Sequence, residues 1–76
     1  MEEFLLYTVG KLVEHPEEVV ITRTETPSRT IYHIAANKSD LPKIIGKGGH
    51  TIQALRTLLH ASALKKGIRV GLEIIE

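Results

Sequence analysis

The sequence has no cysteine and no tryptophan, and aromatic residues make up only 4% of the chain. Without cysteine the protein can form neither a disulfide nor a thiolate metal site. No apolar run approaches the roughly 20 residues that a helix needs to cross a bilayer, so no membrane association is expected. Two acidic residues, Glu2 and Glu3, stand where a secretion signal would carry basic ones, and we therefore expect a cytoplasmic protein.

The 76 residues are 42% hydrophobic and 25% charged, a composition typical of a small globular protein. A chain of this length is suited to a single core, and one domain spanning residues 1–76 is expected. The formal net charge of +1 conceals a local excess, because residues 38–66 carry six basic side chains and only one acidic one. That segment is suited to attract a polyanion.

The residue types that catalysis or metal binding requires are present, but not in useful patterns. No two of the four histidines are three or four residues apart, so neither a metal site nor a cofactor is expected. A hydrolytic triad could be drawn from Ser39, His50 and Asp40, yet nothing orients a nucleophile there. The nucleotide-binding patterns of P-loop and dinucleotide-binding proteins are also absent. The sequence therefore predicts a protein that is not an enzyme.

Apolar periodicity predicts three helices. The first covers residues 2–14 and ends before the His15-Pro16 pair, since the residue before proline avoids helical angles. A short second helix begins after Asp40 or Ser39 as N-cap, with Pro42 in its first turn. The third and longest covers residues 50–66 and closes at a glycine, Gly67. The positions expected to face the core are Leu5, Val9, Leu12, Val13, Ile52, Leu55, Leu59 and Ala63.

Three strands are predicted over residues 19–26, 30–36 and 68–75, where β-branched residues dominate and apolar residues alternate. By this alternation Tyr32, Val70, Leu72 and Ile74 are expected to be buried. A short turn at 27–29 makes the first two an antiparallel hairpin. Two helices separate the second and third strands, a connection long enough for a parallel pair. The order α-β-β-α-α-β predicts an α+β fold, a three-stranded mixed sheet with the helices packed on one face.

The segment "KIIGKGG", residues 43–49, places three glycines within four residues, directly before the long helix. One glycine is usually enough to reverse the chain with a positive φ angle. Three of them around Lys47 also remove side-chain cover and leave backbone N–H groups at the positive end of a helix. We interpret the turn as a binding site for a phosphodiester, in preference to a simple reversal of the chain.

The stretch "IIGKGG" resembles the I-G-x-x-G signature of KH domains, and the element order resembles that of the type II, bacterial kind. Over essentially the whole chain, including "HPEEV" and "VGLEIIE", the sequence is similar to the KhpA family of small RNA-binding proteins. The resemblance implies single-stranded RNA as partner, held with weak sequence preference along a groove between the helices and the middle strand. It also implies a role in RNA regulation or chaperoning.

The residues that the resemblance assigns to RNA surround the glycine turn. Gly46, Lys47, Gly48 and Gly49 are the expected phosphate clamp. One of the two preceding isoleucines is expected to anchor its helix and the other to form part of the groove floor. The full set of expected RNA-binding residues is Lys43, Ile44, Ile45, Gly46, Lys47, Gly48, Gly49, His50 and Arg56.

A second surface is predicted on the long helix, where Ala54, Leu58 and Ala61 form a stripe beside the core-facing one. Small residues there let another helix approach closely, although Leu58 could equally widen the core contact. The resemblance implies self-association, and pairing with a larger KH protein of the KhpB type. The alternative function is therefore an interaction module whose main role is to form homodimers or heterodimers.

Overall fold

The structure is a computed structural model, which describes residues 1–75. The predicted order of elements is confirmed. Along the chain they are α1 (Glu2–Leu12), β1 (Val20–Glu25), β2 (Thr30–Ala35), α2 (Leu41–Ile45), α3 (His50–Lys66) and β3 (Val70–Ile74). Single 3₁₀ turns precede β1, α2 and α3, at Pro16–Glu18, Lys38–Asp40 and Lys47–Gly49. No helix of residues 1–75 is long and apolar enough to span a bilayer.

The three strands form one mixed sheet in the order β1-β2-β3. β1 and β2 pair antiparallel, with Ile21 opposite Ile34, and β2 and β3 pair parallel, with Tyr32 opposite Leu72. Because side chains alternate between the faces of a strand, this register places Ile21, Tyr32, Ile34, Val70 and Leu72 on one face. The helices pack on that face, as predicted.

Helix α3 has the extent predicted for it, and its stripe of Ile52, Leu55, Leu59 and Ala63 is buried as expected. Gly67 ends the helix with φ 73°, the left-handed angle that glycine adopts without strain. The remaining core residues come from α1, α2 and the sheet, namely Leu5, Val9, Val19, Tyr32, Ile34, Ile44, Val70 and Leu72.

Two details of the predicted core are wrong. Helix α1 ends at Leu12, two residues before the predicted end, because Val13 is already extended with ψ 161°. Leu12 is therefore 37% exposed at the last turn. Ile74 was expected to be as buried as Val70 and Leu72, but it is only half-buried at the end of β3.

The predicted capping of α2 is also different in the structure. Asp40 precedes the helix, but its side chain makes no capping hydrogen bond there. Asn37 accepts the N–H of Ser39 instead and caps the preceding 3₁₀ turn. The Asp40 carboxylate, fully buried, accepts the backbone N–H groups of Glu14 and His15. It therefore joins the end of α1 to the start of α2.

The edges of the sheet lie at β1 and β3, and α3 lies beside the β3 edge. Alternate carbonyl groups along this strand face away from β2, and helix α3 supplies donors to two of them. Arg56 donates to the Leu72 oxygen from Nε at 3.3 Å and from Nη2 at 3.2 Å. One helical turn later, His60 donates from Nε2 to the Val70 oxygen at 3.0 Å. The edge is thus covered by side chains of α3, which leaves no carbonyl row for a foreign strand.

Candidate nucleic-acid interface

Helix α2 delivers the chain to the glycine turn. Pro42 lies in its first turn, where the missing N–H costs little. Ile44 is fully buried and anchors the helix in the core, whereas Ile45 is half-buried beside the turn. Of the two isoleucines, Ile44 is therefore the one that anchors the helix, and Ile45 is the one left for the expected position at the groove floor.

Each glycine of the turn has a positive φ angle, 80° at Gly46, 64° at Gly48 and 77° at Gly49. Gly46 has a second constraint, because a Cβ atom there would lie 2.6 Å from the Cβ of Thr51. Gly49 has open space where its side chain would be. The first glycine is therefore required by packing, while the last is required by its backbone angles and leaves the surface uncovered.

The turn uses some of the backbone donors that were expected to be bare. The N–H of Gly49 donates to the Gly46 oxygen at 3.0 Å, and that of His50 donates to the Lys47 oxygen. Within residues 1–75, no backbone acceptor takes the N–H of Lys47 or Gly48. Two adjacent amides at the exposed tip therefore remain for a ligand, fewer than the sequence suggested.

The two lysines beside the turn differ in their surroundings. Lys43 places Nζ 2.9 Å from Glu14 Oε1 and 3.5 Å from Asp40 Oδ1. The hydrogen bond that Lys43 donates to Glu14 outweighs partial burial and, with Asp40 adding to it, raises the pKa of Lys43. Lys47 is exposed and has no acidic partner among residues 1–75. Lys47 is thus the cation at the turn whose charge is uncompensated.

The structure brings His50 to the turn but directs Arg56 elsewhere. His50 is exposed at the first position of α3, with Nε2 3.7 Å from the place where a Gly48 side chain would start. Arg56 lies one and a half turns further on and is held at the Leu72 carbonyl. Two of its five N–H donors are engaged there, so the others are available toward the space between α3 and β3.

The groove wall that was expected at the middle strand stays a prediction. β2 is hydrogen-bonded on both sides, by β1 and by β3, so its backbone is fully used within the sheet. The edge of β3 that faces away from β2 is approached by α3, whose Arg56 and His60 donate to its carbonyls.

The stripe of Ala54, Leu58 and Ala61 is exposed on the other side of α3. Leu58 is 55% exposed and does not widen the core contact. It lies beside Met1 and Phe4 of the N-terminal helix, with which it lines an open pocket of about 360 Å³. We call Met1, Phe4 and Leu58 the Leu58 patch.

The aromatic residues lie away from the glycine turn. Tyr32 is buried in the sheet, as predicted from its position in the strand. Tyr7 is 69% exposed on α1, where the Lys11 ammonium lies 5.3 Å from its ring centre. Among the described residues, neither the turn nor the two helices that flank it contain an aromatic side chain.

A cluster that sequence reasoning missed lies at the turn before β1. His15 Nδ1 is 3.8 Å from a carboxylate oxygen of Glu17 and 3.8 Å from one of Glu18. The search of the sequence compared histidines only with each other, and a comparison with acidic neighbours would have found this group. Within residues 1–75 these are contacts between side chains of one surface turn, and nothing else points to a metal.

A glycine turn between two helices, in the chain order α-β-β-α-α-β, defines a KH domain of type II. The profile of the KhpA/KhpB KH domain family matches residues 2–74. The chain belongs to this family, which consists of RNA-binding proteins and not of enzymes.

Several curated proteins match over the full length of the chain. The RNA-binding protein KhpA of Chlamydia pneumoniae is 47% identical over 76 residues, which are 100% of this chain and 97% of that protein. The RNA-binding protein KhpA of Listeria monocytogenes is 45% identical over 76 residues and 100% of both chains. That of Oceanobacillus iheyensis is 37% identical over 75 residues, 99% of this chain and 100% of the relative. No solved structure matches the chain significantly.

Proposed function

We propose that this protein acts in the bacterial cytoplasm as one KH domain that holds single-stranded RNA at its glycine turn. The observation that carries the proposal is the exposed tip of the turn. There, Lys47 has no acidic partner within residues 1–75, and two neighbouring amides lack a backbone acceptor. A phosphodiester has the charge and the acceptor oxygens for both features. The relatives carry RNA-binding protein in their names.

The RNA strand would pass from the turn into the groove expected between the helices and the middle strand. A KH groove accommodates about four nucleotides. Ile45 supplies a half-buried apolar surface beside the clamp, and Arg56 supplies the donors that Leu72 leaves unused. Because neither the turn nor its flanking helices contain a phenylalanine, tyrosine or tryptophan ring, the base preference is weak and phosphate contacts dominate. Such binding suits a protein that regulates or chaperones many RNAs.

The affinity is expected to be modest and sensitive to salt. A site with three or four phosphate contacts releases a corresponding number of counterions, and log Kd then changes with log salt concentration by roughly 0.7 per contact. We expect micromolar or weaker binding to a short oligoribonucleotide, with a marked loss of affinity when salt is added.

The test is a double substitution in the clamp, Lys47→Asp with Gly48→Asp. Aspartate is tolerated at positive φ better than most residues, so the circular dichroism spectrum should be preserved while RNA binding is lost. The matched control is Lys65→Asp, the same reversal of a lysine at the far end of α3. Unchanged RNA binding by the double variant would refute the clamp. In a nuclear magnetic resonance titration with a tetranucleotide, the amide signals of residues 46–50 should shift first.

We also propose that the protein forms a dimer through the Leu58 patch and the neighbouring Ala54 and Ala61. The exposed leucine, next to the 43% exposed Phe4, offers apolar surface, and the alanines allow a second helix to approach closely. The partner proposed is a second copy of this chain. A larger KH protein of the KhpB type is the alternative partner for this surface. Pairing with it is the main role of the protein if it is an interaction module and not primarily an RNA-binding protein.

A further inference from the structure

Strand β1 forms the other edge of the sheet, and its outer side is uncovered. Five of its six residues are exposed, and only Ile21 is half-buried. The β3 edge differs, because Arg56 and His60 of α3 donate to its carbonyl groups. Helix α1 packs against β1, but within residues 1–75 no side chain makes a hydrogen bond to the backbone of this strand. One edge of the sheet is therefore capped and the other is open.

The register with β2 decides which backbone groups of β1 point outward. The N–H of Thr26 donates to the Arg29 oxygen and closes the hairpin in the same register as the strand pairs. Successive residues of an antiparallel strand direct their backbone groups alternately to its two sides. The N–H and C=O groups of Ile21, Arg23 and Glu25 therefore point to the open edge. Within residues 1–75, none of these groups has a hydrogen-bond partner.

An open pocket of about 530 Å³ lies beside this edge, between β1 and the start of α1, and its walls include Glu2, Glu3 and Arg23. The Arg23 guanidinium lies 3.4 Å from Glu2 Oε1 and 3.1 Å from Glu25 Oε1, so two carboxylates share it. Glu3 is exposed and has no ion-pair partner within residues 1–75. Even with the α-amino group of Met1 counted, the carboxylates around the pocket outnumber the cations.

We propose that the β1 edge binds an extended, cationic segment of a partner protein, which adds a fourth strand to the sheet. In complexes of this kind the main-chain hydrogen bonds give affinity, and pockets for alternate side chains give specificity. The backbone of the segment pairs with Ile21, Arg23 and Glu25, and a lysine or arginine side chain enters the pocket beside Glu3. This interaction is separate from RNA binding at the glycine turn.

The charge of this part of the molecule favours such a partner over a second copy of the chain or an RNA. Residues 1–25 hold six acidic side chains and only two basic ones. Pairing β1 with the same strand of a second copy would bring two acidic surfaces together, and like charges on neighbouring strands are destabilising. The phosphates of an RNA would be repelled in the same way. A segment rich in lysine or arginine has the opposite sign.

The probe is a hexapeptide of alternating lysine and valine with blocked ends, and the control peptide has glutamate in place of lysine. The proteins are the unchanged chain, Arg23→Pro and Arg23→Ala. Proline removes one N–H at the edge, a position where strands tolerate it because no ladder bond is lost. Alanine removes the same guanidinium but keeps the N–H. We expect Arg23→Ala to bind the lysine peptide at least as tightly as the unchanged chain, and Arg23→Pro to bind it roughly tenfold more weakly.

Hydrogen exchange of the unchanged chain gives a second readout, which remains available if Arg23→Pro does not fold. The lysine peptide should slow the exchange of the Ile21, Arg23 and Glu25 amides several-fold. It should leave the Thr22 and Thr24 amides as they are, because these already face β2. The glutamate peptide should change neither set.

Several results would overturn the proposal. Equal affinity of Arg23→Pro and Arg23→Ala for the lysine peptide, or equal binding of the two peptides, would show that neither the edge nor its charge is used. Slower exchange of the same amides on raising the protein concentration alone would assign the edge to a second copy. Slower exchange there with a tetranucleotide would assign it to RNA. None of these results bears on the clamp, which the double substitution of Lys47 and Gly48 tests separately.

Discussion

The carboxylate of Asp40 accepts the backbone N–H of His15 at 3.0 Å across 25 residues of sequence. The neighbouring N–H of Glu14 donates to the same carboxylate at 3.2 Å, and the Lys43 ammonium lies 3.5 Å away. Burial by itself would raise the pKa of Asp40, but these three donors outweigh it and hold the pKa below its ordinary value. The charged form of this side chain therefore stabilises the connection that carries α2 and the glycine turn.

The first prediction concerns acid stability. A carboxylate whose pKa is lower in the folded protein contributes stability above its unfolded pKa, about 3.9 for aspartate, and loses it as the pH falls through the lower folded value. We expect Asp40→Asn to lower the melting temperature by several degrees at pH 7 and to have a smaller effect at the acid end. Thermal melts across pH, with Glu3→Gln as control, would measure this. An Asp40→Asn effect independent of pH would contradict the role of the charge.

The second prediction separates two glycines of the glycine turn. Gly46 has φ 80° and ψ 166°, a region that is essentially restricted to glycine, and a Cβ atom there would collide with Thr51. Gly46→Ala should therefore cost at least about 1–3 kcal/mol in unfolding free energy. Gly49→Ala meets no neighbour and should cost only the left-handed penalty, about 1–2 kcal/mol. Urea unfolding measures both, and equal losses would show that the Thr51 contact is unimportant.

The third prediction uses the different surroundings of the two lysines. Lys47→Gln should weaken RNA binding several-fold and reduce the salt slope by roughly 1, without a change in stability. Lys43→Gln should lower the stability and leave RNA binding and the salt slope unchanged, since the Lys43 ammonium is bound to Glu14 and Asp40. Glu14→Gln releases Lys43 from its closer partner and should raise RNA affinity slightly. Equal effects of Lys43→Gln and Lys47→Gln on the salt slope would count against this division.

The fourth prediction tests the Leu58 patch. Leu58→Asp should convert a dimer to a monomer in size-exclusion chromatography with light scattering, because a carboxylate would be desolvated at the interface. Leu64→Asp on the same helix is the matched control, since Leu64 is even more exposed. If RNA binding survives in the Leu58 variant, the two surfaces are independent, and if it is lost, dimerisation is a requirement for binding. A monomeric unchanged chain would refute the homodimer.

Sequence patterns were reliable where the signal is local. Side-chain spacing along a single helix predicts the extent of α3, its buried stripe and its closing glycine. The glycine turn can be read directly from the sequence. The same holds for the hairpin and for the parallel pairing of β2 with β3, because the length of a connection limits which pairs can form.

Local spacing failed where the partner of a side chain is distant in sequence. Asp40 has the sequence position of an N-cap, but its acceptors are used by residues 25 and 26 positions earlier. Arg56 donates to the carbonyl of Leu72, 16 positions later, a contact that its spacing along α3 does not predict.

The amino-acid sequence by itself determined the elements, their order and the glycine turn, since these depend on neighbouring residues and on backbone angles. Only the tertiary structure decided which lysine keeps an uncompensated charge and which side chains of α3 cover the β3 edge. Those properties depend on groups that approach through space, and a linear pattern contains no distances between them.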